Sequence, residues 1–236
     1  PVWEAGNKNI PGIYIEFKEP WLNPKGFEQI VYDVLANTQD MNIIEKPEPE
    51  DTPFYINNGT VNVGNTNGKV ILQTFSLESL VRVAEVFQGK VPMCFLLWKG
   101  TGATDLTYDD PLGYASFINL GVKYKAHFIG PCIAGAPNDY PELDQPWQDY
   151  LIHRAKMKNH PYTFDTYDQM AKYFGQYNFG VADGMFNPPY LDALFTNHSD
   201  MSINYMITHG WRKSPASQTL VDAREVLRKL GYLDNN

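Results

Sequence analysis

The stretch "GIYIEFKEPWLNPKGFEQIVYDVLAN", residues 12–37, decides the fold. From Gly12 to Phe17 the side chains alternate, with Ile13, Ile15 and Phe17 on one side and Tyr14, Glu16 and Lys18 on the other, the period of a β-strand. From Phe27 the period changes. Phe27, Ile30, Val31, Val34 and Leu35 recur at helical spacing, with Pro24 close to the helix start. The unit is a strand followed by an amphipathic helix, and its strand carries an acid and a base on one face.

The same unit recurs along the chain. "KVILQTF" (69–75) reads as a strand rich in β-branched residues, and "SLESLVRVAEVF" as a helix capped by Ser76 with Leu77, Leu80, Ala84 and Phe87 on one stripe. "VPMCFLLW" (91–98) reads as a buried strand, "PLGYASFINLGV" as a helix and "KAHFIGP" (125–131) as a strand. Then come the helix "QPWQDYLIHRAKMKN", the strand "HPYTF", the helix "YDQMAKYF", the strand "FGVADGMF" and a last helix, "SQTLVDAREVLRKLG", with basic residues in its final turn and Gly231 beyond. Residues 47–68 are rich in Pro, Asn and Gly and read as a surface excursion with a hairpin.

Strand and helix in succession imply a parallel sheet, either doubly wound or closed into a barrel. No Gly-rich phosphate loop follows any strand. Polar residues gather instead at strand C-terminal ends: Glu16 and Lys18, Gln73, His160 and Tyr162, and Asp183. That favours a barrel, whose site is assembled at that end from several strands.

At 236 residues and 43% hydrophobic, the chain can bury a core without cross-links. A net charge of −8 provides no electrostatic footprint for nucleic acid, and no apolar run is long enough to span a bilayer. Cys94 and Cys132 allow one disulfide at most. Asn58-Gly59-Thr60 and Asn197-His198-Ser199 are glycosylation sequons in turn-like contexts.

A carboxylate such as Glu16 at a strand end is a natural ligand for a hard cation, and an ammonium two residues on can neutralise a phosphoryl oxygen held against that cation. "GIYIEFKEPW", "KVILQTF", "HPYTF" and "GVADGMF", in that order, resemble the second half of the glycerophosphodiester phosphodiesterase family, the periplasmic bacterial type above all. The resemblance covers about residues 10–195. It implies a (β/α)8 TIM-type barrel of which this chain provides about the last five or six strand units (1–195), with 196–236 as a helical extension packed on it. The implied reaction is hydrolysis of a glycerophosphodiester to glycerol 3-phosphate and an alcohol, assisted by one divalent cation, Ca²⁺ or Mg²⁺, outside the cytoplasm or in the periplasm.

By the same resemblance Glu16 matches the metal-binding glutamate, Lys18 the lysine beside the phosphate, and Gln73, Phe75 and Tyr162 the residues lining the substrate pocket. The family's His-Arg-Gly, Glu-x-Asp and His-Asp strands do not occur here, and "NPP" (187–189) stands where Thr-Asp commonly follows the terminal Phe. The catalytic histidine pair is therefore expected in an upstream half or a separate N-terminal fragment, and the segment alone is expected to be inactive. Two alternatives stand beside this: a non-catalytic binding or structural descendant of the barrel, and a sugar-processing barrel using Glu16 and Asp183 as paired carboxylates.

Overall fold

A computed structural model describes residues 13–19, 21–37, 70–98, 110–176, 191–209 and 228. The expected features at 47–68, the strand around Asp183, the Asn58 sequon, "NPP" and all of the last helix but Arg228 lie outside the described residues. Strands and helices alternate: β1 (Ile13–Glu16), α1 (Phe27–Asn37), β2 (Val70–Thr74), α2 (Leu77–Phe87), β3 (Met93–Leu97), α3 (Pro111–Lys123), β4 (Phe128–Pro131), α4 (Pro146–Arg154), β5 (Lys158–Asn159), α5 (Tyr167–Ala171) and α6 (Ser199–Thr208). A π-helical turn, Lys172–Gln176, continues α5. No helix among the described residues is long and apolar enough to cross a membrane.

All five strands form one parallel sheet in the order β1-β2-β3-β4-β5. Strand order that never reverses is singly wound, so right-handed crossovers send every connecting helix to the same face. The core agrees. Leu72, Phe95 and Ile129 from that face pack with Leu35 of α1, Leu80, Val83 and Phe87 of α2, Tyr114, Phe117 and Ile118 of α3 and Ile152 of α4. Phe95 and Phe117 stack with centroids 4.2 Å apart, a contact worth about 0.5–1.5 kcal/mol beyond burial. The opposite face holds a smaller cluster of Cys94, Leu96 and Phe128, packed against Tyr14, Ile71, Phe75 and Tyr162.

That second face is concave. In a flat sheet β1 and β5 would lie four strand spacings, about 19 Å, apart, farther than two side chains reach. Yet the Tyr14 hydroxyl is 3.1 Å from Nδ1 of His160, the residue after β5. Gly130 sits in this concavity because a Cβ there would come within 2.7 Å of Leu96 Cδ2 and 3.1 Å of the His160 carbonyl. Past β5 the sheet gains an irregular parallel neighbour. The N–H groups of Asp192 and Ala193 donate to Asn159 O, that of Phe195 to Pro161 O, and that of Phe164 to Phe195 O. Phe195 then meets Tyr14 with ring centroids 4.8 Å apart.

Two expectations are corrected. Ile30 and Val34 of α1 are 54% and 59% exposed, whereas Glu28 is buried. The helix is rotated so that Glu28 accepts from Ser79 Oγ (3.3 Å) and lies 3.7 Å from Arg82, which a buried carboxylate requires. Secondly, α4 ends at Arg154, where the chain reverses through Lys156 at φ +63°. Residues 158–159 belong to β5, two residues before the strand expected at "HPYTF". Past β5 the parallel pairing with the β4 side continues through His160 N to Ile129 O, Tyr162 N to Pro131 O and Ile133 N to Tyr162 O, while the carbonyl of Pro161 faces the other side and accepts from Phe195 N. Cys94 and Cys132 are both buried thiols, with no disulfide between them.

Candidate functional site at the strand C-terminal ends

Parallel register aligns the candidate residues. Glu16 pairs with Gln73, Gln73 with Cys94 and Cys94 with Phe128, and this row faces the concave side. Glu16 is the last residue of β1. The chain is held there by the Phe17 N–H donating to Gln73 O at 2.8 Å and by the buried Phe17 ring. Thr74 Oγ1 donates to Phe17 O at 2.9 Å, so the ends of β1 and β2 are tied together.

The Glu16 side chain is 20% exposed, and its Oε2 is 3.7 Å from Lys18 Nζ, itself 72% exposed. Burial pushes the Glu16 carboxyl above its ordinary value, and the lysine pulls it part of the way back. Beside it, Gln73 Oε1 is buried and receives no hydrogen bond. An amide oxygen closed off from water without a donor costs free energy, and a cation would satisfy it. Glu16 and Gln73 are thus two oxygen donors on adjacent strands at one level of the sheet. Among the described residues no group of three or more His, Cys, Asp or Glu could hold a metal ion.

Aromatic side chains border this row. Phe75 meets Tyr162 edge to face at 5.7 Å, Tyr162 meets Tyr140 at 6.0 Å and Tyr140 meets Trp98 at 6.4 Å. Tyr162 O–H donates to Leu97 O at 3.0 Å, and burial holds its hydroxyl far above the usual phenol range. It presents a ring edge, not an ionisable group. The structure brings Glu16, Lys18 and Gln73 together at one end of β1 and β2, and joins Phe75 to Tyr162 across the concave face.

Tyr14 and His160 form a polar pair that the sequence reading did not assign. His160 stacks on Phe128 with centroids 4.1 Å apart, and burial lowers its pKa to about 4. Its imidazole is neutral at pH 7, and its Nδ1 shares one hydrogen bond with the Tyr14 hydroxyl. Tyr14 lies on the same alternating face as Glu16 and Lys18, which was the available signal. A separate groove of about 180 Å³ lies between Leu194 and Thr196 on one side and Ser199, Ser202, Ile203 and Met206 of α6 on the other. It contains no titratable group.

No family model matches the chain, and no curated protein matches it. The fold and the row at the strand ends define a singly wound parallel α/β protein with an acid, a base, an amide and aromatic rings gathered at the C-terminal side of its sheet.

Proposed function

We propose that this chain forms the later strand units of a (β/α)8 barrel of the glycerophosphodiester phosphodiesterase family and takes part in cation-assisted hydrolysis of glycerophosphodiesters to glycerol 3-phosphate and an alcohol. Support for closure comes from the singly wound order and the concave face that brings Tyr14 to Phe195. Five strands and the segment 191–195 make six of the eight that such a barrel needs.

The observation that carries the reading is the half-buried Glu16, paired with Lys18 and in register with an amide oxygen that lacks a donor. The pair fits one hard divalent cation in kind, with Glu16 and Gln73 as its protein ligands from this chain. Bound there, Ca²⁺ or Mg²⁺ would withdraw charge from a phosphoryl oxygen. Lys18 neutralises a second phosphoryl oxygen from its exposed position, and Phe75 and Tyr162 offer apolar faces to the glycerol carbons. The acid–base histidines are assigned to a segment upstream of this chain.

A second reading, a non-catalytic binding or structural protein, rests on what the histidines do. His127 Nδ1 accepts from Met93 N, His153 lies between two carboxylates, His160 shares a hydrogen bond with the Tyr14 hydroxyl, and His198 and His209 flank α6. Phosphodiester hydrolysis by the protein isolated from its source, with and without a chelator, separates the two. Loss of turnover on chelation and its return with Ca²⁺ or Mg²⁺ support the enzyme, and Glu16→Gln then abolishes the cation response. An intact protein inert under every cation supports the second reading.

A further inference from the structure

Behind the two oxygen donors of the candidate site lies one buried hydroxyl. Along β2, Val70, Leu72 and Thr74 share the side turned to the helices, each 0% exposed, while Ile71 and Gln73 point to the concave side. A threonine in that apolar row needs hydrogen bonds that a valine would not. Thr74 has two: its Oγ1 donates to Phe17 O at 2.9 Å and accepts from the Ser76 N–H at 3.1 Å. Phe17 directly follows Glu16, and its own N–H donates to Gln73 O at 2.8 Å. Ser76 is the N-cap of α2, with its side chain accepting from the Ser79 N–H.

These bonds sit where the two strands part. Beyond the Glu16–Gln73 pair, β1 runs into the turn that carries Lys18, and β2 leaves the sheet to enter α2. At that point the Phe17 carbonyl is taken by the Thr74 hydroxyl, and the same oxygen receives the N–H that opens the cap of α2. One side chain therefore holds the residue after Glu16, the residue after Gln73 being Thr74 itself, and the start of the next helix. Two ligands on separate strands can share an ion only if their backbones are held to within about 0.5 Å. The ends of strands, where ladder bonds stop, are where such alignment is hardest to keep.

We propose that Thr74 is a positioning residue, whose hydroxyl holds the ends of β1 and β2 in register so that the Glu16 carboxylate and the Gln73 amide oxygen stand side by side to share one divalent cation. The inference rests on the reading of those two residues as cation ligands. Thr74 touches no cation; it acts through the main chain of its neighbours. Only a hydroxyl suits the place, because the Phe17 carbonyl calls for a donor, the Ser76 N–H calls for an acceptor, and a hydroxyl is both. Linkage makes the effect reciprocal: a cation bound by both side chains strengthens the tie that aligns them.

The test is calorimetric titration of the full-length protein with Ca²⁺ and with Mg²⁺, comparing the wild type with Thr74→Val, Thr74→Ser and Ser79→Ala. Valine keeps the shape and removes the hydroxyl, which serine restores. Ser79→Ala takes a donor from Glu28 between α1 and α2 and leaves both Thr74 bonds in place. Thr74→Val should weaken cation binding by about 10- to 100-fold, and Thr74→Ser should return it close to the wild-type value. Ser79→Ala should lower the thermal midpoint without changing the affinity. An affinity unaltered in Thr74→Val, or reduced as much by Ser79→Ala, overturns the proposal while the cation reading stands. A wild type that binds neither ion overturns both. If Thr74→Val does not fold, hydrogen exchange of the wild type decides: bound Ca²⁺ should slow exchange of the Phe17 and Ser76 amides, and rates unchanged by a bound ion overturn the proposal.

Discussion

Glu16 has given up most of its hydration for one long ion pair with a lysine that is itself largely in water. Such a pair returns at most about 1 kcal/mol, while burial raises the carboxyl's pKa. Replacing it with the isosteric Gln should leave the thermal midpoint at pH 7 unchanged or slightly higher, even as any cation response is lost. A marked drop in the midpoint would mean that Glu16 serves the fold and not a ligand. Gln73 allows a parallel test. Its buried Oε1 carries an unpaid desolvation cost of about 1–3 kcal/mol, so Gln73→Met should stabilise the cation-free protein by about 1 kcal/mol. Denaturant titration without and with Ca²⁺ would show the variant gaining in the first case and losing the cation's stabilisation in the second.

Among the elements, α3 shows how a local signal fixes a boundary. Asp110 Oδ1 accepts from the N–H groups of Leu112 and Gly113, both at 2.9 Å, and Pro111 follows in the first turn. Asp110→Ala should cost about 0.5–2 kcal/mol, seen as a lower denaturant midpoint with an unchanged slope. Signals of this kind, periods of 2 and 3.6 residues with Ser76 and Asp110 at helix starts, made most strands and helices legible in the sequence. Rotation of a helix about its axis was not. The stripe on α1 implied that Ile30 and Val34 face inward, but Ser79 and Arg82, more than fifty residues away, turn Glu28 to the core instead. The α4–β5 junction was misread for the same reason: Asn159 is fixed by Asp144, Asp149 and Asp192, none of which a local pattern can supply. The alternation that grouped Glu16 with Lys18 was local and therefore readable. The Tyr14–His160 bond joins residues 146 positions apart and was not.

For the whole molecule, the buried ionisable groups pull stability in two directions with pH. Burial lowers His127 to about 3 and His160 to about 4, from 6.5. The unfolded chain takes up protons that these native imidazoles refuse, so their contribution is complete above 6.5 and is lost as pH falls toward 4. Asp192, lowered to about 2 chiefly by His153 and Lys158 against the opposing effect of burial, adds its loss only below about 3.8. His153 acts oppositely. Raised to about 10 by Asp149 and Asp192, it contributes fully below 6.5 and its contribution disappears as pH climbs toward 10. The two histidines therefore make stability rise from pH 4 toward 6.5 and His153 makes it fall above that, while the carboxyls of Asp144 and Asp149, raised chiefly by burial, lose stability as pH rises and so make the acid limb shallower. His127→Gln keeps an oxygen to accept from the Met93 N–H and removes one of the two protons, so it should flatten that limb further while leaving the alkaline side unchanged. Urea denaturation at half-unit steps of pH measures both limbs, and an acid limb of unaltered slope in the variant would show that His127 is not held neutral in the native core.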